Sequence, residues 1–153
     1  MPIHQVQYQQ LIKTDLATLW NFISSPKNLK EITPKEMNFI ITSPFFKEKM
    51  YAGMIINYKV SPVLGIKLNW CTEITNVQEN EYFVDEQRFG PYALWHHQHH
   101  FQETENGILM TDIVNYKLPF GFLGNLFGGS FVKKKLKEIF DFRFQRMEEL
   151  FNT

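Results

Sequence analysis

Hydrophobic and polar positions along this chain change period several times, and each change marks an element. Residues 3–11 alternate, Ile3, Gln5, Gln7 and Gln9 against Val6 and Tyr8, which predicts a strand near a sheet edge. Thr14 is placed to cap a helix over 15–23, whose apolar positions Leu16, Leu19, Trp20 and Ile23 recur at helical spacing. Ser25-Pro26 starts a second short helix, with serine as cap and proline at the first helical position, and Pro34 ends it. From residue 37 the period is two. Strands are predicted over 37–42, 54–61, 66–77, 81–89, 93–103 and 107–118. The loop 44–53 (PFFKEKMYAG) follows the first of them, and turn chemistry at Ser61-Pro62, Gln78–Asn80, Gly90-Pro91 and Asn106-Gly107 separates the rest. Strands joined by such short turns form an antiparallel meander.

After the glycine-rich PFGFLGNLFGGS, positions Val132, Leu136, Ile139, Phe140, Arg143, Phe144, Met147 and Phe151 fall at spacings of three and four. They form one stripe of a long helix. A sheet with one apolar face and a single long amphipathic helix must bury those faces against each other, an α+β arrangement. If the sheet curls around the helix, a space remains between them.

The 153 residues, without repeats or an internal linker, predict one domain over 1–153. Aromatic residues make up 16% of the chain, more than packing needs, which fits either an aromatic core or a large apolar cavity. The 16 basic residues balance 16 acidic ones, so no global field draws the chain to nucleic acid or an anionic membrane. The run Lys133–Lys135 with Lys137 is answered by Glu138 and Asp141 and reads as a solvated helix face. Cys71 is the only cysteine, which excludes an internal disulfide and a cysteine-based structural zinc site. The opening MPIHQVQYQQ is polar, and no apolar run approaches the roughly 20 residues of a membrane span. A cytoplasmic protein is the expectation.

The stretch LWHHQHHF, residues 94–101, holds four of the five histidines. Side chains alternate along a strand. Trp95, His97, His99 and Phe101 share one face, aromatic at both ends and assigned inward; Leu94, His96, Gln98, His100 and Gln102 share the solvent face. The next strand presents Ile108, Met110, Asp112, Val114, Tyr116 and Leu118, one carboxylate in an otherwise apolar row. An Asn106-Gly107 turn, or a register shifted by two, sets Asp112 opposite or diagonal to His99 or Phe101. A carboxylate there must be paired or hydrogen-bonded, and histidine is its natural partner. Strand 81–89 offers Asp85 and Gln87 on the face of Phe83, with the register through Gly90-Pro91 open. Strand 66–77 turns Ile66, Leu68, Trp70, Thr72 and Ile74 inward and Glu73 outward, and strand 54–61 contributes Ile56, Tyr58 and Val60.

Three uses compete for His97, His99 and Asp112. Residues two apart on a strand lie about 6.6 Å apart, so both histidines and the carboxylate can converge on a metal ion. A His–Asp pair can instead move protons in catalysis. Or the cluster can structure a cavity and hydrogen-bond the polar end of a ligand. No nucleophile, oxyanion motif or pattern of groups that would orient metal ligands accompanies these residues in the sequence, and the binding reading leads.

The segments YAGMIINYKV, GIKLNWCTEIT, FVDEQRFGPYALWHHQHHF, GILMTDIVNYKLPFG and the terminal IFDFR, in this order of elements, resemble the START/birch-pollen-allergen (SRPBCC) superfamily. They are most similar to its bacterial ligand-binding, cyclase/dehydrase-like members. The resemblance implies a helix-grip fold, a curved antiparallel sheet of about seven strands around a long C-terminal helix, with two short helices after the first strand. It implies a small hydrophobic ligand (lipid, polyketide or aromatic metabolite) held between sheet and helix by Tyr58, Trp70, Phe83, Trp95, His97, His99, Phe101, Asp112 and Tyr116. A polyketide cyclase/dehydratase-like enzyme using His97, His99 and Asp112 is the alternative. No cofactor and no metal are expected. The aromatics Phe45, Phe46 and Tyr51 would flank an entrance, or a docking face for a partner enzyme or a weak homodimer. PFGFLGNLFGGS would be a lid hinge or simply the turn before the helix.

Overall fold

The computed structural model describes residues 2–44, 49–61, 65–119 and 122–153, with 122–127 as backbone only. Phe45 and Phe46, Pro62 and most of the glycine-rich stretch lie outside the residues whose side chains are described.

Strand β1 (His4–Ile12) leads into helix α1 (Leu16–Ile23). The cap is Asp15 rather than Thr14: its carboxylate accepts from the Thr18 backbone N–H at 2.8 Å and from the Thr18 hydroxyl at 2.7 Å. An aspartate one residue later reaches the same exposed N–H groups of the first turn with a full charge. The second helix, Pro26–Ile32, is a 3-10 helix with Ser25 before it, and Ser25 makes no side-chain cap bond. A further 3-10 turn, Lys35–Met37, and a left-handed Asn38 (φ 47°) follow Pro34. They consume most of the strand expected over 37–42. Only β2 (Ile40–Ile41) pairs, because proline pre-sets the turn and asparagine tolerates the left-handed region.

Strands β3 (Met54–Val60), β4 (Leu68–Gln78), β5 (Tyr82–Phe89), β6 (Leu94–Thr104) and β7 (Gly107–Lys117) complete a seven-stranded antiparallel sheet in the order β1-β7-β6-β5-β4-β3-β2. The meander is the one expected, and β1 joins it beside β7. Register shifts at Cys71/Thr72 and Ile74/Asn76 break the β4–β5 ladder. Such bulges bend and twist a sheet. Ile66 falls before β4 and is exposed.

Helix α2 (Phe122–Met147) carries a break at Gly128 (φ 57°, ψ 163°), and its end widens into a π-turn over Glu148–Asn152. Leu136, Phe140 and Met147 are buried while Phe144 is exposed. The stripe therefore passes through Arg143, and Phe144 lies off it. Tyr8 stacks on Phe140 with ring centres 4.2 Å apart. Buried Gln10 donates to the Phe144 carbonyl at 3.0 Å and to Glu148 at 2.8 Å, which fastens the end of the helix to β1. Two apolar clusters form. One surrounds Trp20, which meets Phe83 and Phe101 edge-on, and the other joins Val114, Tyr116, Leu136 and Phe140.

The β6–β7 hairpin turns through Glu105-Asn106, with Thr104 opposite Gly107, one residue earlier than the expected Asn106-Gly107 turn. Gly107 has φ 131°, and a Cβ there would stand 2.3 Å from the Ile12 carbonyl oxygen. Both the conformation and the close approach require glycine. Gly107→Ala is expected to cost about 2–3 kcal/mol, read as a lower urea midpoint. An unchanged midpoint would show that the hairpin shifts without penalty.

Candidate functional site

The hairpin register sets the site. With Thr104 opposite Gly107, His99 lies directly opposite Asp112, and on the other side of β6 His97 pairs with Asp85. The alternation on β6 is as expected: His97 and His99 are buried, while His96 and His100 lie on the outer face, bonded to Glu86 and Gln98. The buried groups are close. His97 Nε2 is 2.8 Å from Asp112 Oδ1, His99 Nε2 is 2.8 Å from Asp85 Oδ2, and His99 Nδ1 is 2.9 Å from Asp112 Oδ1. His97 Nδ1 stands 3.6 Å from Asp85 Oδ2. The imidazole centres are 3.7 Å apart, and Phe83 stacks on His99 at 4.0 Å.

The cluster lies at the seam between the two apolar clusters, with Phe83 on His99 and Phe140 edge-on to His97, so its electrostatics are those of a largely buried site. Burial pushes both carboxyls up, but the hydrogen bonds and charges of the two histidines outweigh it and hold Asp85 and Asp112 ionised below the ordinary aspartate range. Burial, reinforced by the neighbouring His99 charge, pushes His97 down. His99 also loses solvation, but bonds to Asp112 and Asp85 outweigh that loss and raise it. The two histidines are thereby driven apart: His99 carries a proton between two carboxylates, and His97 stays neutral. Arg143 enters from the helix, with Nη1 3.9 Å from Asp112 Oδ1 and its guanidinium carbon 5.1 Å from the Phe140 ring centre. Two carboxylates, one imidazolium and one guanidinium leave this buried group neutral.

These residues line one side of a cavity of about 160 Å³ between sheet and helix. Its far wall is aromatic: Trp70 stacks with Tyr58 and meets Tyr92 and Trp95 edge-on. The Trp70 indole donates to Thr72 at 3.0 Å. Of the residues expected at a site, Tyr58, Trp70, Phe83, Trp95, His97, His99 and Asp112 line the cavity. Phe101 packs on Trp20, and Tyr116 packs between His4 and Tyr92, both outside the wall. Asp85 faces the cavity, whereas Gln87 turns to the Tyr92 backbone, accepting at 3.1 Å and donating at 2.7 Å, and so braces the β5–β6 turn.

Arg143 was legible only as a member of the helix stripe. Its signal is the one Asp112 gives, a charge inside an otherwise apolar row. Its Nε is buried without a hydrogen-bond partner among the described residues. Tyr51 is exposed. No described helix is long and apolar enough to cross a membrane.

No family model matches the sequence, and neither does any curated protein. Solved structures do resemble it. A START superfamily protein from Mycobacterium smegmatis superposes with a TM-score of 0.73 at 12% identity, covering 97% of each chain. Ara h 8.0201 gives 0.66 at 13% identity over 97% of both chains. A major latex-like protein from Panax ginseng gives 0.59 at 13% identity, over 92% of this chain and 94% of its own. With the seven-stranded curved sheet, the long terminal helix and the short helices after β1, the chain has the helix-grip fold that it shares with these structures.

Proposed function

We propose that the chain binds a small hydrophobic molecule carrying an acidic or strongly polar group, in the cavity between sheet and helix. The observation that carries this reading is one juxtaposition. An aromatic-walled space of about 160 Å³ meets Arg143, whose buried Nε has no partner among the described residues. Pockets of this kind combine mostly apolar walls with a few placed polar groups. His97, His99 and Asp112 are largely satisfied by one another, so their part is to hold the wall. Arg143 is the polar group that meets the acidic end of the ligand, while Asp85 stays paired with His99. The volume supports one ligand class over the others: an apolar cavity of about 150 Å³ accepts a single benzene ring. A small aromatic acid fits better than a long-chain lipid. Binding rather than acid–base catalysis is the function proposed, because the ring nitrogens of His97 and His99 are already engaged by Asp112 and Asp85.

Native mass spectrometry of the purified chain and thermal unfolding with a panel of small aromatic acids, their neutral isosteres and fatty acids test it. A ligand at a hundred times its Kd is expected to add about 2.7 kcal/mol, a rise of roughly 5–10 °C in Tm for a chain of this length. The acid should exceed its neutral isostere. Ile139→Trp, which places an indole in the cavity from the helix side, should abolish the rise. No co-purified molecule together with no shift from any panel member would sink the proposal.

A further inference from the structure

The geometry points to a divalent transition-metal site of the zinc class, built from Asp85 Oδ2, His97 Nδ1 and His99 Nε2, with Asp112 as the group that orients both imidazoles. One donor atom from each of the three residues lies within 4.8 Å of the other two, and Asp85 Oδ2 stands 2.8 Å from His99 Nε2 and 3.6 Å from His97 Nδ1. Ligand atoms about 2.0–2.2 Å from a tetrahedral zinc stand roughly 3.4 Å apart. The two separations from Asp85 bracket that spacing.

A second and independent observation is the outer side of the two rings. His97 Nε2 and His99 Nδ1, the nitrogens facing away from Asp85, both lie against Asp112 Oδ1, at 2.8 and 2.9 Å. A carboxylate that takes the outer N–H of a ligating histidine fixes its tautomer and aims its other nitrogen at the metal. Here one buried carboxylate does so for two histidines at once, through different ring nitrogens. When the ion binds, the proton on His99 Nε2 leaves and the cation takes its place between that nitrogen and Asp85.

Charge and access agree. Asp85 and Asp112 together balance a divalent ion, and Arg143 beside Asp112 favours an anionic fourth ligand arriving from the cavity that Asp85, His97 and His99 line. Imidazole donors select a first-row transition ion over magnesium or calcium. The inference does not depend on the organic ligand proposed above. Mass spectrometry reads that ligand, and the titration below reads the metal, so either can fail alone.

The test is zinc titration by isothermal calorimetry on chelator-treated protein, with Asp85→Asn, His97→Gln and His99→Gln as variants. Glu86→Gln serves as the control at the outer-face His96. The wild type is expected to take up one equivalent of zinc. Each of the three variants should bind at least tenfold more weakly, and the control should match the wild type. Circular dichroism reports whether each variant folds. Cobalt bound to the wild-type protein decides the matter where one does not: d–d bands of a four- or five-coordinate nitrogen/oxygen set support the site. A thiolate charge-transfer band from Cys71, or the weak spectrum of an octahedral ion, overturns it. So does a wild type that takes up no stoichiometric zinc, or any one folded variant of the three that keeps wild-type affinity.

Discussion

Asp112→Asn is expected to destabilise the chain by about 3–5 kcal/mol, the range for removing one partner of a buried ion pair. Asparagine preserves the volume and an acceptor oxygen, so the loss isolates the charge. Asp112 is buried and stands within 2.9 Å of His99 Nδ1 and 3.9 Å of Arg143 Nη1. Without its charge, Asp85 alone faces an imidazolium and a guanidinium in a low-dielectric seam, where an unmatched charge is expensive. The protein can respond only by releasing the His99 proton, which gives up part of its bond to Asp85. Urea unfolding at neutral pH reads the loss, provided the slope is unchanged. Adding Arg143→Met should recover part of it by removing one unmatched cation, and a double-mutant cycle measures that coupling. A single-variant loss below about 1 kcal/mol would mean that water reaches the cluster and that the carboxylates do not act as buried charges.

Much of this site was legible because strands alternate. The alternation on β6 separated His97 and His99 from His96 and His100 without any knowledge of the fold. Asp112 announced itself as one carboxylate in an apolar row. The pairing partner was less legible. An Asn-Gly dipeptide is a strong hairpin signal, and taken at face value it sets Asp112 opposite Phe101. The chain instead turns one residue earlier, because Gly107 must lie against the Ile12 carbonyl, a contact from a strand about a hundred residues away. The same limit hid Arg143. Helical spacing places it on the stripe, but only the curvature of the sheet brings Asp112 beneath it. Register through the bulged β4–β5 ladder, and hence the role of Asp85, depends on tertiary contacts that no local pattern encodes. The cavity volume is set by how side chains from six or more elements interlock, and composition offered only an excess of aromatic residues.

The pH profile of stability carries the largest signature of the cluster as a whole. In metal-free protein it is expected to peak near pH 6.5 and to fall on both sides. His99 is raised above its ordinary value of 6.5. Its contribution is therefore fully present below 6.5 and is lost as pH rises through the folded value, because the native state must then give up a proton that the unfolded chain has already released. His97 is lowered, so below 6.5 the unfolded chain takes a proton that the native state refuses, and stability falls with pH. Asp85 and Asp112 are lowered from 3.8. Their stabilisation is present above that value and is lost as pH drops through the folded ones, which steepens the acid limb. Arg143 and the cavity-side Tyr58 also face the cluster. Burial pushes the Tyr58 phenol up, out of the window. Urea midpoints from pH 2 to 9 in the presence of a chelator give the profile. His99→Gln should flatten the alkaline limb while leaving an acid limb in place. An alkaline fall that persists in His99→Gln assigns that limb to another group, and a wild-type profile flat from pH 6.5 to 9 removes the bridging imidazolium from the site.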